Sequence, residues 1–412
     1  MMEVNTLDDV SVSKKTVFLR VDFNMPLDKN SLKILDTTRM KRVLPTVKEL
    51  VSKQAKTVII AHQGRKGSWD FTSLKQHATV FEELLGSSVQ FVEDIYGDEA
   101  KKAISSLNPG DVLFLDNVRK LDYETEKRSV SEHAKTLFIQ TLAPLGDVFV
   151  NDAFAAAHRA QCSLIGFTSL LPSCAGRLME EEVTTLSRVI QNPEKPCVFL
   201  FGGAKFSDII ITIERVLQNN TADKILLTGL PANAFLHAQG LKLGSENEKA
   251  LAEEGNDDLF SQIKTLMKNY DDAIIVPTDF AVEKNGKRYE INTDNLPSKH
   301  GLFDIGSETI KQYEETLRQA KTIFLSGPCG VFEQDIFMKG TKEIFEYVAK
   351  SDAFSIVGGG HTVAAVKQLN LQDQISHIST GGGSLEKFMM GEKLPVLEAL
   401  KQAKINQPVA SK

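Results

Sequence analysis

The sequence predicts an α/β protein with two lobes, each built on a parallel sheet. Short apolar strand patterns alternate with helix patterns along most of the chain, which is typical of βαβ units. A length of 412 residues favours two domains over one core. A helix pattern at residues 178–191 lies between two such arrays and can connect them, although an ordinary crossover helix would look similar.

The first half of the chain carries strand patterns separated by helix patterns. Strands are predicted at residues 16–20, 56–61, 89–92, 111–115 and 147–150. Helices are predicted at about 37–53, 72–85 and 98–107, and another begins near residue 131. Asp36 or Thr37 can cap the first helix, and Pro45 introduces an irregularity inside it.

The second half repeats this alternation. Strand 197–201 runs directly into Gly202-Gly203-Ala204-Lys205, and Ser207 can cap the helix that follows. Further strands are predicted at residues 224–227, 273–276, 322–325, 355–357 and 377–379. Asn285-Gly286 predicts an antiparallel hairpin within this lobe.

Composition and charge exclude several classes of protein. A net charge of −6 and a pI near 5.9 argue against a surface that coats nucleic acid. No apolar run approaches the ~20 residues of a membrane helix, and residues 1–15 lack a signal-peptide core, so we expect a cytoplasmic protein. The four cysteines form no metal-ligand spacing. We expect them to be small buried side chains, with a catalytic thiol as the alternative.

Charged side chains follow the predicted strands of the first half. The strand ends carry Arg20 with Asp22, His62 with Arg65, Arg119, and His158 with Arg159. Any one of them could be a solvated arginine or a core ion pair. Because the carboxyl ends of parallel strands meet at one edge, and arginine forks match carboxylate and phosphate oxygens, the set predicts a site for a small, multiply anionic ligand.

Glycines follow the predicted strands of the second half. They lie at Gly202-Gly203, Gly229, Gly327-Pro328-Cys329-Gly330, Gly358-Gly359-Gly360 and Gly381-Gly382-Gly383. Structural turns explain any one of these, but together they predict a backbone surface open to a large flat ligand and its phosphates. In the clearest case, three glycines precede His361-Thr362 and a helix, which favours an anion at the helix start.

These observations favour a phosphoryl-transfer enzyme that closes on two ligands. Neither GxxxxGK[ST] nor GxGxxG occurs in the sequence. A non-catalytic nucleotide-binding protein remains an alternative. A dehydrogenase on a Rossmann-like sheet is a second alternative, and the missing GxGxxG argues against it.

Several segments resemble motifs of the phosphoglycerate kinase family, and they are spread over nearly the whole chain. They are RVDFNMPL at 20–27, HQGR at 62–65, DNVR at 116–119, NDAF at 151–154, AHRA at 157–160, GGAK at 202–205, GPCGVFE at 327–333 and STGGG at 379–383. The resemblance implies reversible phosphoryl transfer between 1,3-bisphosphoglycerate with ADP and 3-phosphoglycerate with ATP. The substrate carboxylate then attacks the γ-phosphoryl group in line, without a covalent nucleophile, in a closed interdomain cleft.

The resemblance also implies an architecture of two Rossmann-like three-layer lobes with parallel sheets, joined by an interdomain helix and hinge. The expected domains are residues 1–176 for phosphoglycerate, 177–192 as the interdomain helix and 193–380 for the nucleotide. Residues 381–412 are expected to return to the first domain. The implied cofactor is Mg²⁺ with ATP or ADP, held mainly by the nucleotide phosphates. Neither nucleic acid nor membrane is an expected partner, and the protein is expected to be a monomer or homodimer.

The motifs assign roles to individual residues. The implied catalytic residues are Arg39 and Lys205. The implied substrate-binding residues are Asp22, Phe23, Asn24, Arg39, His62, Gln63, Gly64, Arg65, Arg119 and Arg159. The implied nucleotide-binding residues are Gly202, Gly203, Lys205, Glu333, Gly358, Gly359, Gly360, His361 and Thr362. His158 is interpreted as a core or supporting histidine and is left out of the site.

The sequence departs from the family pattern in the nucleotide lobe. His361 stands where most members have Asp, Ile209 where many have a second Lys, and Ser326 where Asn is usual. Magnesium prefers oxygen ligands, so His361 is expected to contact a phosphate or a metal-bound water instead. These changes bear on base preference and metal geometry rather than on the reaction, and several of them resemble archaeal members.

Overall fold

The computed structural model describes residues 3–406. The strands are β1 (Thr16–Val21), β2 (Lys56–Ile60), β3 (Val89–Phe91), β4 (Val112–Phe114), β5 (Val148–Asp152), β6 (Ser173–Ala175), β7 (Cys197–Phe201), β8 (Lys224–Leu227), β9 (Ile274–Ile275), β10 (Asp279–Lys284), β11 (Lys287–Asn292), β12 (Asp304–Ile305), β13 (Thr322–Ser326), β14 (Phe354–Gly358) and β15 (His377–Ile378). The helices are α1 (Thr38–Ser52), α2 (Lys75–Leu85), α3 (Asp98–Ser105), α4 (Val130–His133), α5 (Leu137–Leu142), α6 (Cys162–Ile165), α7 (Arg177–Gln191), α8 (Ser207–Gln218), α9 (Gly229–Ala238), α10 (Ser245–Glu254), α11 (Asp257–Asn269), α12 (Ser307–Arg318), α13 (Lys339–Lys350), α14 (Gly360–Gln368), α15 (Gly383–Met389) and α16 (Pro395–Asn406).

The chain divides into two units. Unit 1 ends at Thr184 and resumes at Lys393, and unit 2 comprises Thr185–Glu392. The boundary falls within α7, and α16 therefore belongs to unit 1. There the buried Val396 donates its backbone N–H to the carbonyl of Ala157 at 3.2 Å. The functional roles expected for the predicted domains stay predictions.

Unit 1 is built on a six-stranded parallel sheet in the order β3-β4-β2-β1-β5-β6. Successive residues of β1 enter different apolar clusters, with Val17 and Leu19 in one and Phe18 in the other. In β2, Ile59 joins the first cluster and Ile60 the second. Side chains alternate across a strand, so both faces of this sheet are buried, as the continuous apolar runs in the sequence predict.

Unit 2 contains a second six-stranded parallel sheet, in the order β15-β14-β13-β7-β8-β9. Counted along the chain within this sheet, the order is that of the Rossmann fold, and it reverses between β7 and β13. Ligands of such sheets bind beyond the carboxyl ends of the strands at that reversal. A separate antiparallel sheet, β11-β10-β12, contains the predicted hairpin at Asn285-Gly286.

The start of α7 is anchored to the end of β5. The buried carboxylate of Asp152 accepts a 2.9 Å hydrogen bond from the backbone N–H of Met179 and a 2.6 Å bond from the hydroxyl of Thr46. The Thr46 hydroxyl in turn accepts the N–H of Arg177 at 2.9 Å. Burial raises the pKa of Asp152 to about 6, although these hydrogen bonds oppose the rise.

Several local predictions are wrong. Ser207 is the first residue of α8 rather than its cap, and the preceding Phe206 supplies no side-chain cap. Helix α2 begins at Lys75, not near residue 72, because the Asp116 carboxylate binds the N–H of Leu74 at 2.8 Å. The helix expected from residue 131 is divided into α4 and α5 where the Thr136 hydroxyl bonds to a helix carbonyl.

The prediction for the cysteines is confirmed, and two short strands are additional to those predicted. The four cysteines are buried and free, as predicted, and burial raises the pKa of the Cys162 thiol to about 12. Strands β6 and β12, of three and two residues, were not anticipated from the sequence. Between residues 3 and 406, none of the helices has the length and hydropathy needed to cross a membrane.

Candidate functional site

The carboxyl ends of β1 and β2 bring polar side chains together in unit 1. Arg39, at the start of α1, places Nη1 2.8 Å from Oδ1 of Asp22. Nε2 of His62 lies 3.9 Å from the same oxygen, and the backbone N–H of Asn24 donates to it at 3.0 Å. Burial alone would raise the pKa of Asp22, but the positive charge of Arg39 and the hydrogen bond from this N–H lower it below its ordinary value. The carboxylate is therefore ionised at neutral pH.

Gly64 joins the loop after β2 to its neighbours. Its N–H donates to Oδ1 of Asn24 at 2.9 Å, and its carbonyl accepts from Nη1 of Arg119. Its φ is +66°, and an added Cβ would lie 2.6 Å from the backbone of Asp70. This position therefore requires glycine, and its role here is to orient Asn24 and Arg119.

Four arginines and one histidine form what we call the basic cluster: Arg39, His62, Arg65, Arg119 and Arg159. Burial lowers the pKa of Arg119 to about 10, and the positive charges of Arg159 and Arg20 lower it further. Burial, Arg65 and Arg39 lower that of Arg159, while Asp22 opposes them. Because the arginines of this cluster repel one another, a bound anion would stabilise it.

Four residues of the predicted substrate set are buried: Phe23, His62, Gln63 and Arg119. Of these, Phe23 and Gln63 contact other core groups. Phe23 is fully buried and stacks on Phe114, with ring centroids 5.9 Å apart. The buried amide of Gln63 binds both backbone groups of Met25, at 2.8 and 3.1 Å, and lies 3.1 Å from Nε2 of His77. Their side chains therefore support the site from the core, and direct contact with a substrate stays a prediction.

Arg20 also differs from its predicted position on the open edge. Its side chain is fully buried and donates through Nε to the hydroxyl of Ser163 at 2.7 Å. Ser163 in turn donates to the carboxylate of Glu124 at 2.6 Å. Sequence reasoning missed both of these residues, because one lies in a loop and the other in the short helix α6, where no strand end or motif marks them.

A cavity of about 990 Å³ lies in unit 2 at the reversal between β7 and β13. Most of the predicted nucleotide-binding residues line it: Gly202, Gly203, Lys205, Glu333, Gly359, Gly360, His361 and Thr362. Gly358 is not among its lining residues, and a Cβ there would lie 2.1 Å from Cδ2 of Leu385. We call this space the nucleotide cavity, because most of the residues predicted to bind the nucleotide line it.

The loops after β7 and β13 are held against each other by their backbones. The N–H of Gly202 donates to the carbonyl of Ser326 at 2.8 Å, and that of Gly203 donates to Pro328 at 3.0 Å. A Cβ added to Gly202 would lie 2.3 Å from the Pro328 carbonyl oxygen, and one added to Gly327 would lie 2.1 Å from that of Gly202. The close approach therefore requires glycine on both loops.

Helix α14 begins at the rim of the nucleotide cavity. Gly359, at φ +88°, precedes its first turn, and the buried hydroxyl of Thr362 accepts the N–H of Gly327 at 2.7 Å. His361 is 81% exposed, and its Nδ1 lies 3.5 Å from the carboxylate of Glu333. The start of this helix offers backbone N–H groups to an anion, which the helix dipole also favours.

The charge lining the nucleotide cavity is mostly negative. Lys205 is the single lysine or arginine among its described lining residues. The carboxylates there are those of Asp208, Glu246, Glu253, Glu254, Glu333 and Glu386. Over residues 3–406, no group of three or more His, Cys, Asp or Glu side chains is placed to hold a metal ion. A polyanionic ligand would therefore depend on backbone N–H groups, Lys205 and its own counterion.

A family model described as Phosphoglycerate kinase matches residues 7–392. The chain belongs to the phosphoglycerate kinase family. The phosphoglycerate kinase of Methanothermus fervidus is 44% identical over 404 residues, which cover 98% of each chain. That of Methanobacterium bryantii is 46% identical over 400 residues, covering 97% of this chain and 98% of the relative. A crystal structure of phosphoglycerate kinase from Pyrococcus horikoshii OT3 superposes with a TM-score of 0.88 at 39% identity, covering 97% of this chain and 99% of that one.

These comparisons confirm the identification made from the motifs, including the likeness to archaeal phosphoglycerate kinases. They also confirm the two-lobe α/β fold class and kinase chemistry that uses ATP or ADP. The dehydrogenase alternative is therefore wrong. The roles assigned to individual residues remain predictions.

Proposed function

We propose that unit 1 binds phosphoglycerate and that unit 2 binds ATP or ADP, with the phosphoryl group passing between them. The observation that carries this proposal is the basic cluster around Asp22, where Arg39 and His62 lie within 4.0 Å of one carboxylate oxygen. A substrate with a carboxylate, a hydroxyl and a phosphate matches this combination of cationic side chains and one carboxylate. The arginine forks suit the two anionic groups, and Asp22 with Asn24 suits the hydroxyl.

The nucleotide occupies the cavity of unit 2 in this proposal. Its phosphates lie at the start of α14 and beside Gly202-Gly203, where glycines permit close backbone approach. Lys205 contacts the transferring phosphoryl group, and Glu333 binds the ribose hydroxyls. The cavity volume of about 990 Å³ is sufficient for a nucleotide.

Catalysis then rests on positioning and charge neutralisation. The substrate carboxylate attacks the γ-phosphoryl group in line, and the negative charge in the transition state is stabilised by Arg39, Lys205 and backbone N–H groups. None of the buried cysteines is required as a nucleophile. A role in glycolysis follows from membership of the phosphoglycerate kinase family. Domain closure, the cytoplasmic location and a monomeric or homodimeric state stay predictions.

Mg²⁺ enters with the nucleotide as part of the substrate. The described residues fit this role, because no group of three or more His, Cys, Asp or Glu side chains among them is placed to hold a metal and an imidazole is a poor magnesium ligand. Phosphate oxygens therefore hold the metal, with His361 able to contact its water. Equal activity in EDTA and in Mg²⁺ would contradict this arrangement.

A coupled assay with 3-phosphoglycerate, ATP and Mg²⁺ tests the proposal. We expect turnover that requires all three components. His62→Gln and Arg159→Gln should raise the KM for 3-phosphoglycerate while leaving the KM for ATP nearly unchanged. Absence of turnover at saturating substrates would instead favour the non-catalytic nucleotide-binding alternative.

A further inference from the structure

Arg20 is a buried cation whose donors all face the protein. Nε donates to the hydroxyl of Ser163 at 2.7 Å, Nη1 donates to the carbonyl of Val21, and Nη2 lies 3.1 Å from Nδ1 of His62. The side chain has no exposed surface, and each of its three nitrogen atoms has a protein partner. One of these partners is the neighbouring histidine.

Glu124 and Ser163 hold Arg20 in this orientation. The Glu124 carboxylate accepts the hydroxyl of Ser163 at 2.6 Å and its backbone N–H at 2.9 Å. Oε1 of Glu124 lies 4.0 Å from Nη2 of Arg20, and both side chains are fully buried. A buried charge is tolerated only with a partner and hydrogen bonds, and this pair has both.

The contact between Arg20 and His62 determines where the imidazole carries its proton. A guanidinium has donors and no acceptor, so Nδ1 of His62 must accept. In the neutral ring the proton is then on Nε2, the atom that lies 3.9 Å from Oδ1 of Asp22. A second proton on Nδ1 would face an N–H group of Arg20.

The surrounding charges act in the same direction. Burial is the main cause that lowers the pKa of His62 well below its ordinary value, and Arg20, Arg119 and Arg159 lower it further. Asp22 opposes them. Protonation would add another cation to a cluster of arginines that already repel one another.

We propose that Arg20, held by Ser163 and Glu124, is a positioning residue that keeps His62 neutral with its proton on Nε2. The role rests on the proposed binding of phosphoglycerate at this site. His62 then serves the substrate as a fixed hydrogen-bond donor rather than as an additional cation. Substrate affinity consequently does not depend on the protonation of this histidine near neutral pH.

The first test is measured on the wild-type protein and uses a substitution only to assign signals. The full-length protein is labelled with ¹⁵N in its histidine rings, and the His62 signals are assigned by their loss in His62→Gln. We expect an unprotonated Nδ1 and a protonated Nε2 from pH 8 down to at least pH 5.5. His133, whose Nε2 donates to the carbonyl of Ala160 at 3.1 Å, gives a second buried histidine of known geometry in the same spectrum. A protonated Nδ1 in this range would overturn the proposal.

The second test removes the positioning contact. The double variant Arg20→Met/Glu124→Gln removes both buried charges together, so neither is left alone. We expect the KM for 3-phosphoglycerate to rise about tenfold, the effect of one hydrogen bond of ordinary strength, while kcat changes less. The pH profile of kcat/KM should gain an inflection between about pH 5 and 7, because His62 then titrates nearer its ordinary value. A folded variant with an unchanged KM and pH profile would overturn the proposal, and if the variant does not fold, the wild-type spectrum decides.

Failure of this proposal can be distinguished from failure of the proposed function. Addition of 3-phosphoglycerate should shift the Nε2 signal of His62 and leave those of His133 in place. If it shifts neither, the substrate contact is wrong, and the proposal that depends on it falls too. If the substrate shifts His62 but the free protein carries the proton on Nδ1, phosphoglycerate binding stands and only the role of Arg20 is wrong.

Discussion

Replacing Gly327 by alanine should destabilise unit 2 by roughly 2–5 kcal/mol. Its φ of +96° is outside the range that side chains tolerate well, which costs about 1–2 kcal/mol. The new Cβ would also lie 2.1 Å from the carbonyl oxygen of Gly202, a backbone atom that cannot move without breaking the contact between the β7 and β13 loops. Such overpacking adds typically ~1–3 kcal/mol.

Gly360→Ala is the matched control, because it separates folding from ligand binding. A Cβ at Gly360 meets no protein atom within 4 Å, so we expect stability to change by less than about 1 kcal/mol. If phosphates bind at the start of α14, however, the methyl group intrudes on them. The KM for ATP should then rise at least about tenfold, the loss of one charge-assisted hydrogen bond, with the KM for 3-phosphoglycerate nearly unchanged.

Urea unfolding of both variants, followed by circular dichroism, measures the first effect. The single tryptophan, Trp69, lies in unit 1, so its fluorescence does not report directly on the unit that carries the change. A Gly327→Ala variant as stable as the wild type would refute the argument from backbone contact. A Gly360→Ala variant with normal ATP kinetics would refute the placement of the phosphates.

Three further predictions concern other parts of the chain. Lys205→Ala should lower kcat at least ~10²-fold with an unchanged KM for 3-phosphoglycerate, and near-normal kcat would contradict its role. Leu400→Ala, at a fully buried position of α16, should lower the free energy of unfolding by ~2–5 kcal/mol in urea titrations, whereas Ile405→Ala, 64% exposed, should change it by less than ~0.5 kcal/mol. Because the pKa of Asp152 is raised to about 6, the native state loses stability as pH rises from 4 to 6. Asp152→Asn removes this pH dependence, so the free energy of unfolding of the variant relative to the wild type should rise by up to about 3 kcal/mol as pH rises from 4 to 6 in urea titrations. A difference between variant and wild type that does not change with pH would contradict this prediction.

The parallel sheets could be predicted because their signal is local. Runs such as Val17-Phe18-Leu19 are apolar at successive positions, which is what a strand buried on both faces requires. The polar residues and glycines that follow the strands could also be predicted as site residues, because the carboxyl ends of parallel strands lie at one edge of a sheet. Strands β6 (Ser173–Ala175) and β12 (Asp304–Ile305) contain no apolar run, and they form where longer neighbours supply hydrogen bonds.

The supporting shell of the substrate site could not be predicted. Arg20 and Ser163 are 143 positions apart, and no spacing in the sequence indicates that they meet. Motifs likewise mark Phe23 and Gln63 as part of the site without indicating that both are buried. Burial depends on which elements pack together, and a motif records residue types rather than accessibility.

The position of α16 has a consequence for synthesis on the ribosome. Unit 2 is inserted between the body of unit 1 and its last helix, so all of unit 2 is translated before α16 exists. The surface of nascent unit 1 that later packs against Val396 and Leu400 therefore stays exposed until α16 is synthesised. By then unit 2 already has its complete sequence. Although domains usually fold in the order of translation, here the second unit can reach its final state before the first.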